Sequence, residues 1–146
     1  MSVLKTIGAG VLAGALMASL LWWERPEDPP VERYVTGHVT IIDGDTWKVD
    51  GVTYRHVNID APERDMARAE CPEEVYKAGL AVTALKAAFE YGGARTYSTG
   101  KTGKYGRTLA LLPMEDGREA EQVLIDIGLA RYLGSPRNPW CKRTIQ

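Results

Sequence analysis

From Thr6 to Trp23 the sequence TIGAGVLAGALMASLLWW runs eighteen residues without a charge. A run of that length just crosses a hydrocarbon core and exceeds an ordinary secretory h-region, so residues 1–24 read as a signal anchor or signal peptide and not as part of a globular fold. Lys5 and the amino terminus precede it, and Glu24, Glu27 and Asp28 follow. The positive-inside rule then starts the chain in the cytoplasm and exports the rest. Signal cleavage needs small residues at −3 and −1, whereas the available pairs, Leu16 with Ala18 and Met17 with Ser19, put a bulky group at −3. The expectation is a hydrophobic helix anchoring the domain to the inner membrane, or a secreted or periplasmic protein if the segment is removed. Residues 25–31, beginning Arg25-Pro-Glu-Asp-Pro-Pro30, form a proline-rich linker that cannot continue a helix. That leaves 32–146 for folding.

One modest domain fits that length. Eighteen Lys and Arg stand against nineteen Asp and Glu, a formal net charge of −1, which excludes a polybasic nucleic-acid wrapper and an acidic disordered tail. Any anion site must therefore be local. Two cysteines and two histidines, His38 and His56, are too few for a disulfide-built miniprotein or a Cys/His zinc set, and both histidines read as strand residues.

Val35, Val39 and Ile41 alternate with Thr36, His38 and Thr40, the period of a half-buried strand. Thr46 to Asp50 and Val52 to Ile59 follow across Asp-Gly turns, giving a β-meander. Val75, Ala78, Gly79, Val82, Leu85 and Phe89 make a helical stripe that Gly92-Gly93 stops. Ala94 to Thr99 and Thr108 to Pro113 read as strands around the turn Gly100-Lys-Thr-Gly103, and Glu119 to Ile127 as a second helix ended by Gly128. Three strands, a helix, two strands and a helix predict an α+β, mainly β fold: a five-stranded Greek-key barrel of the OB type with two to three helices.

Four stretches carry chemistry, and each has an ordinary reading. Asp43-Gly44 is a hairpin signal on its own. An EF-hand is excluded, because its fifth position would be Trp47 and its twelfth Tyr54. Asp60 in Ile59-Asp-Ala-Pro-Glu63 could be only a cap, Arg55 only a strand surface charge, and Tyr105-Gly-Arg107 only a turn.

In order, however, DGDT, an Arg ending a strand, IDAPE, a helix, KYGR before a strand, and LIDIGLA resemble the staphylococcal nuclease, or thermonuclease, family over about Val35 to Cys141. The resemblance implies the OB barrel and a calcium-dependent, sequence-nonspecific endonuclease that leaves 3′-phosphates. It assigns Ca2+ to Asp45, Asp60 and the Ala61 carbonyl, with Asp43 nearby. It makes Glu63 the general base and Arg55 and Arg107 the guanidiniums on the phosphate. Two carboxylates and a carbonyl suit a hard cation but leave positions for water and phosphate, so the expected affinity is weak, on the order of 10⁻⁴ to 10⁻³ M. Lys104 and Tyr105 match positions that touch a terminal phosphate and nucleotide, and Tyr132 offers a stacking face or else core packing. Lys48, Arg95, Lys101 and Arg131 either widen a positive groove or are ordinary surface charges. Contacts to phosphate and metal predict cleavage of both DNA and RNA, single strands most readily, with no obligate protein partner.

The sequence departs from the family after Leu129, where only Ala130 to Gln146 remain for a fuller third helix. In an oxidising exterior Cys71 and Cys141 are expected to be bridged, against the alternative of two buried free thiols. The rival readings are a catalytically inactive OB module binding single-stranded nucleic acid or a protein partner, and a structural or calcium-binding envelope domain.

Overall fold

The computed structural model describes residues 33–135 and 138–141; the expected anchor and linker lie outside the described residues. No helix among the described residues is long and apolar enough to cross a membrane. Strands β1 (Tyr34–Val35), β2 (Val39–Asp43), β3 (Thr46–Val49), β4 (Val52–His56) and β5 (Ile59–Asp60) come first. Helix α1 (Pro72–Glu90), β6 (Thr96–Thr102), β7 (Thr108–Leu111), α2 (Ala120–Asp126) and β8 (Arg131–Tyr132) follow.

Six strands make one mixed, curled sheet in the order β1-β6-β7-β4-β3-β2, with β4 and β7 parallel and the other pairs antiparallel. β5 and β8 form a separate two-stranded pair. The α+β character expected from the sequence is present, but the sheet is an open half-barrel of six strands, not five. The extra strand arises where a single run was expected over Val35 to Ile41. At Gly37 the Asp50 carboxylate comes so close that a Cβ would lie 2.2 Å from its Oδ2. Asp50 Oδ1 accepts the His38 N–H at 2.8 Å, and the Asp50 N–H donates to the His38 carbonyl at 3.0 Å. This clasp divides the run, sending Tyr34–Val35 to β6 and Val39–Asp43 to β3. The second difference is at Gly100-Lys-Thr-Gly103. β6 runs through to Thr102, which pairs with Thr108, so the reversal comes later, in the single 3-10 turn Lys104–Gly106.

Trp47 is the centre of the core. It is fully buried, donates from Nε1 to Thr96 Oγ1 at 2.9 Å, and meets Tyr54, His56 and Phe89 ring to ring. Pro72 opens α1 with its preset φ, and Glu73 and Glu74 in the first turn complement the helix dipole. The buried face of α1 is Glu74, Ala78, Ala81 and Leu85, rotated from the expected stripe so that Gly79 is exposed. Leu85 and Leu112 are fully buried, each contributing roughly 1.5–3 kcal/mol through burial. The small residues Ala78 and Ala81 let the helix approach the β2–β3 turn, and a glutamate shares their face.

Candidate active site

That approach fixes the first wall of the site. A Cβ on Gly44 would lie 2.5 Å from the Ala81 Cβ and 3.0 Å from that of Ala61, so only glycine fits between Asp43 and Asp45. The turn is tied to β4 by the His56 N–H, which donates to the Asp45 carbonyl at 2.9 Å. The β3–β4 register sets Arg55 opposite Thr46, one residue from Asp45. The β5–β8 register sets Asp60 opposite Arg131.

Asp45 is only 5% exposed. Its Oδ1 accepts the Thr46 hydroxyl at 2.7 Å, and its Oδ2 accepts Arg55 Nη1 and, at 3.2 Å, the Ala61 N–H. Arg55 also donates from Nη2 to Asp60 Oδ1 and to the Ile59 carbonyl, both at 3.3 Å. One guanidinium therefore bridges the two carboxylates. Arg131 holds the other oxygen of Asp60, Nη2 to Oδ2 at 2.9 Å, with its guanidinium over the Trp140 ring.

These groups line a cleft of about 310 Å³ together with Asp43, Ala61, Pro62, Glu63, Arg68, Glu74 and Arg107. The six residues expected to form the metal and catalytic sets, Asp45, Arg55, Asp60, Ala61, Glu63 and Arg107, all reach it. Glu63 Oε1 accepts the Asp65 N–H at 2.9 Å and Arg68 Nη2 at 3.2 Å. Arg107 is held lightly, its Nε donating to the Lys104 carbonyl at 3.2 Å.

Lys104 and Tyr105 do not line the cleft. Tyr105 is 80% exposed, sits in the left-handed region at φ 63°, and has the Lys104 ammonium 4.7 Å and the Arg107 guanidinium 5.6 Å from its ring centroid. The hydrogen bond and charge of Lys104 hold the Tyr105 hydroxyl below its ordinary range. Tyr132 faces elsewhere: its hydroxyl donates to Gln122 Oε1 at 3.0 Å, in a second depression shared with Asn58 and Glu121. Cys71 and Cys141 are bonded to each other, with their Cα atoms 5.8 Å apart.

Sequence reading passed over Glu74 and Arg68 and gave Arg131 only the role of a groove charge. A glutamate in a first helical turn has an ordinary explanation in the helix dipole, so nothing local marks Glu74. Its place on the Ala78–Ala81–Leu85 face is the one available signal.

The cleft fits the implied calcium in the kind of donor it offers. Asp45, Asp60 and the Ala61 carbonyl supply hard oxygen. Burial, and then the negative charge of Asp45 with a smaller contribution from Glu63, holds the Asp43 carboxyl above its ordinary value of 3.8 even with Arg64 and Arg68 opposing. Among the described residues no three or more His, Cys, Asp or Glu side chains are grouped to hold a metal; the implied set contains only two. Comparison with protein-family models finds no match, and comparison with curated proteins finds none.

Proposed function

We propose that the chain is a calcium-dependent, sequence-nonspecific nuclease of the staphylococcal type, on an OB-type barrel, that hydrolyses phosphodiesters of DNA and RNA. The observation that carries this reading is the convergence on one cleft of Asp45, Arg55, Asp60, Ala61, Glu63 and Arg107, drawn from four separate stretches of sequence. All of these groups address phosphate, metal or water rather than bases, so the reading includes broad sequence tolerance and easier access to single strands. It also includes export of the domain, where calcium is plentiful, by way of the N-terminal segment.

Asp45, Asp60 and the Ala61 carbonyl would hold calcium. When bound, calcium neutralises the non-bridging phosphate oxygens and positions the attacking water. Glu63 accepts a proton from that water as its oxygen bonds phosphorus and the bond to the 5′ oxygen breaks; the 5′ oxygen is protonated from solvent, leaving a 3′-phosphate. Arg55 bridges Asp45 and Asp60 at the floor of the cleft, and its planar fork suits the non-bridging oxygens of a phosphate. Arg107 reaches the same cleft with a single carbonyl partner to give up. Both guanidiniums stabilise the five-coordinate transition state more than the ground state, because negative charge grows on the oxygens they hold.

The test incubates the full chain, kept in solution with mild detergent, with denatured DNA in calcium or in chelator. Cutting that needs calcium is expected. Intact DNA in both tubes defeats the enzyme reading, and equal cutting in chelator defeats the metal assignment. Unchanged turnover in Glu63→Gln removes the general-base role alone.

A further inference from the structure

The most buried acid in the cleft that the proposed chemistry leaves unused is Glu74, only 5% exposed in the first turn of α1. A carboxylate there is costly unless its oxygens are satisfied. They are. Oε1 accepts the backbone N–H of Glu63 at 3.1 Å, and Oε2 accepts the Glu70 N–H and Asn138 Nδ2, each at 2.9 Å. Three donors from two parts of the chain therefore meet on one side chain. Two belong to the loop between β5 and α1, and one belongs to the C-terminal segment that Cys141 bonds to Cys71 at the helix start.

The geometry is that of a clamp on the backbone of Glu63. Among the described residues the Glu63 side chain is itself tied only within its own loop, to the Asp65 N–H and to the exposed Arg68. What joins this loop to the helix at Glu63 is the bond from its N–H to Glu74. We infer that Glu74 is a positioning residue for Glu63: its buried carboxylate, braced by Asn138, fixes where the base stands against the attacking water. This rests on the reading of Glu63 as the base. Misplacing a reacting group by about 1 Å costs on the order of 10²-fold in rate, while substrate contacts made by Arg55 and Arg107 stay in place.

The experiment uses the full chain in detergent, denatured DNA and calcium, with Glu74→Ala and Glu74→Gln. In Glu74→Ala, kcat is expected to fall about 10- to 100-fold with KM unmoved, the split that marks an interaction felt in the transition state. The Glu63 amide, followed by NMR hydrogen exchange, is expected to exchange faster in the same variant. Glu74→Gln keeps the volume and one acceptor oxygen and should regain part of both. Unchanged kcat in the folded Ala variant, or a fall in kcat with the Glu63 amide as slow as in wild type, overturns the inference. Should Glu74→Ala fail to fold, Glu74→Gln decides alone: slower turnover and faster exchange together support it, and either change without the other, or neither, overturns it. A wild-type protein that cuts no DNA overturns the nuclease reading instead, and exchange at Glu63 still shows whether Glu74 holds that loop.

Discussion

Arg131 and Asp60 stand 71 residues apart in sequence and face each other across the β5–β8 pair, Arg131 Nη2 donating to Asp60 Oδ2 at 2.9 Å and Nε to the same oxygen at 3.3 Å. The guanidinium lies over Trp140, its Cζ 5.1 Å from the ring centroid. A fixed positive charge therefore adjoins one of the two carboxylates proposed for calcium. Arg131→Met should lose about 1–2 kcal/mol of stability, the worth of a partly exposed charge-assisted bond, seen as a lower urea midpoint with the slope unchanged. Removing a like charge from beside the cation should also lower the calcium concentration needed for half-maximal cutting. A higher requirement would contradict this account.

Among the described residues the Arg107 side chain makes a single hydrogen bond, to the Lys104 carbonyl, so replacing it disturbs little of the fold. Arg107→Lys keeps the charge but loses the planar fork that spans two phosphate oxygens. Turnover is expected to fall by about 10²-fold with the melting temperature unchanged. Steady-state cleavage of denatured DNA measures the first and calorimetry the second. Lysine acting as well as arginine would show that forked contact at this position is immaterial.

The Cys71–Cys141 bond closes a loop across a sequence separation of 70. In the chain-entropy view a loop of that size stabilises by roughly 3–5 kcal/mol. Paired Cys71→Ser and Cys141→Ser substitutions should lower the unfolding free energy by about that amount. They should also slow turnover, because Asn138 loses its anchor beside Glu74. Equal denaturant midpoints for the two proteins would argue against both effects.

His56 is buried in β4, and its Nδ1 lies 3.3 Å from Glu121 Oε2, close enough for an ion pair but not aligned as a hydrogen bond. Burial works to raise the Glu121 carboxyl, yet the close contact with His56 outweighs it, so the group sits below its ordinary value of 4.5. A carboxylate depressed in the folded state contributes stability that is complete above its unfolded value and is lost as pH falls from there through its folded value. Glu121→Gln should thus be less stable than wild type at pH 7, and the gap should close in acid below that ordinary value. Urea unfolding at a series of pH values reads this directly, and a gap that widened in acid would reverse the sign.

Local signals accounted for much of this. The Asp43-Gly44 turn and the strands that carry Arg55 and follow Arg107 were legible because turn and strand preferences are local, and α1 was legible from its stripe. What escaped was decided by contacts distant in sequence. The split between β1 and β2 depends on Asp50 reaching Gly37. The late reversal after β6 depends on Thr102 finding Thr108. Tyr132 turns away because Gln122 on α2 takes its hydroxyl, and Glu74 matters only because Asn138 comes to it from 64 positions away.

The cramped seat of Gly44 against Ala81 ties the spacing of Asp43 and Asp45 to the packing of α1. Altering how α1 rests on the sheet, even by one methyl group beneath Ala81, should therefore shift these carboxylates within the cleft. The charge pattern of the cleft is thus open to change from inside the core, with no acid replaced.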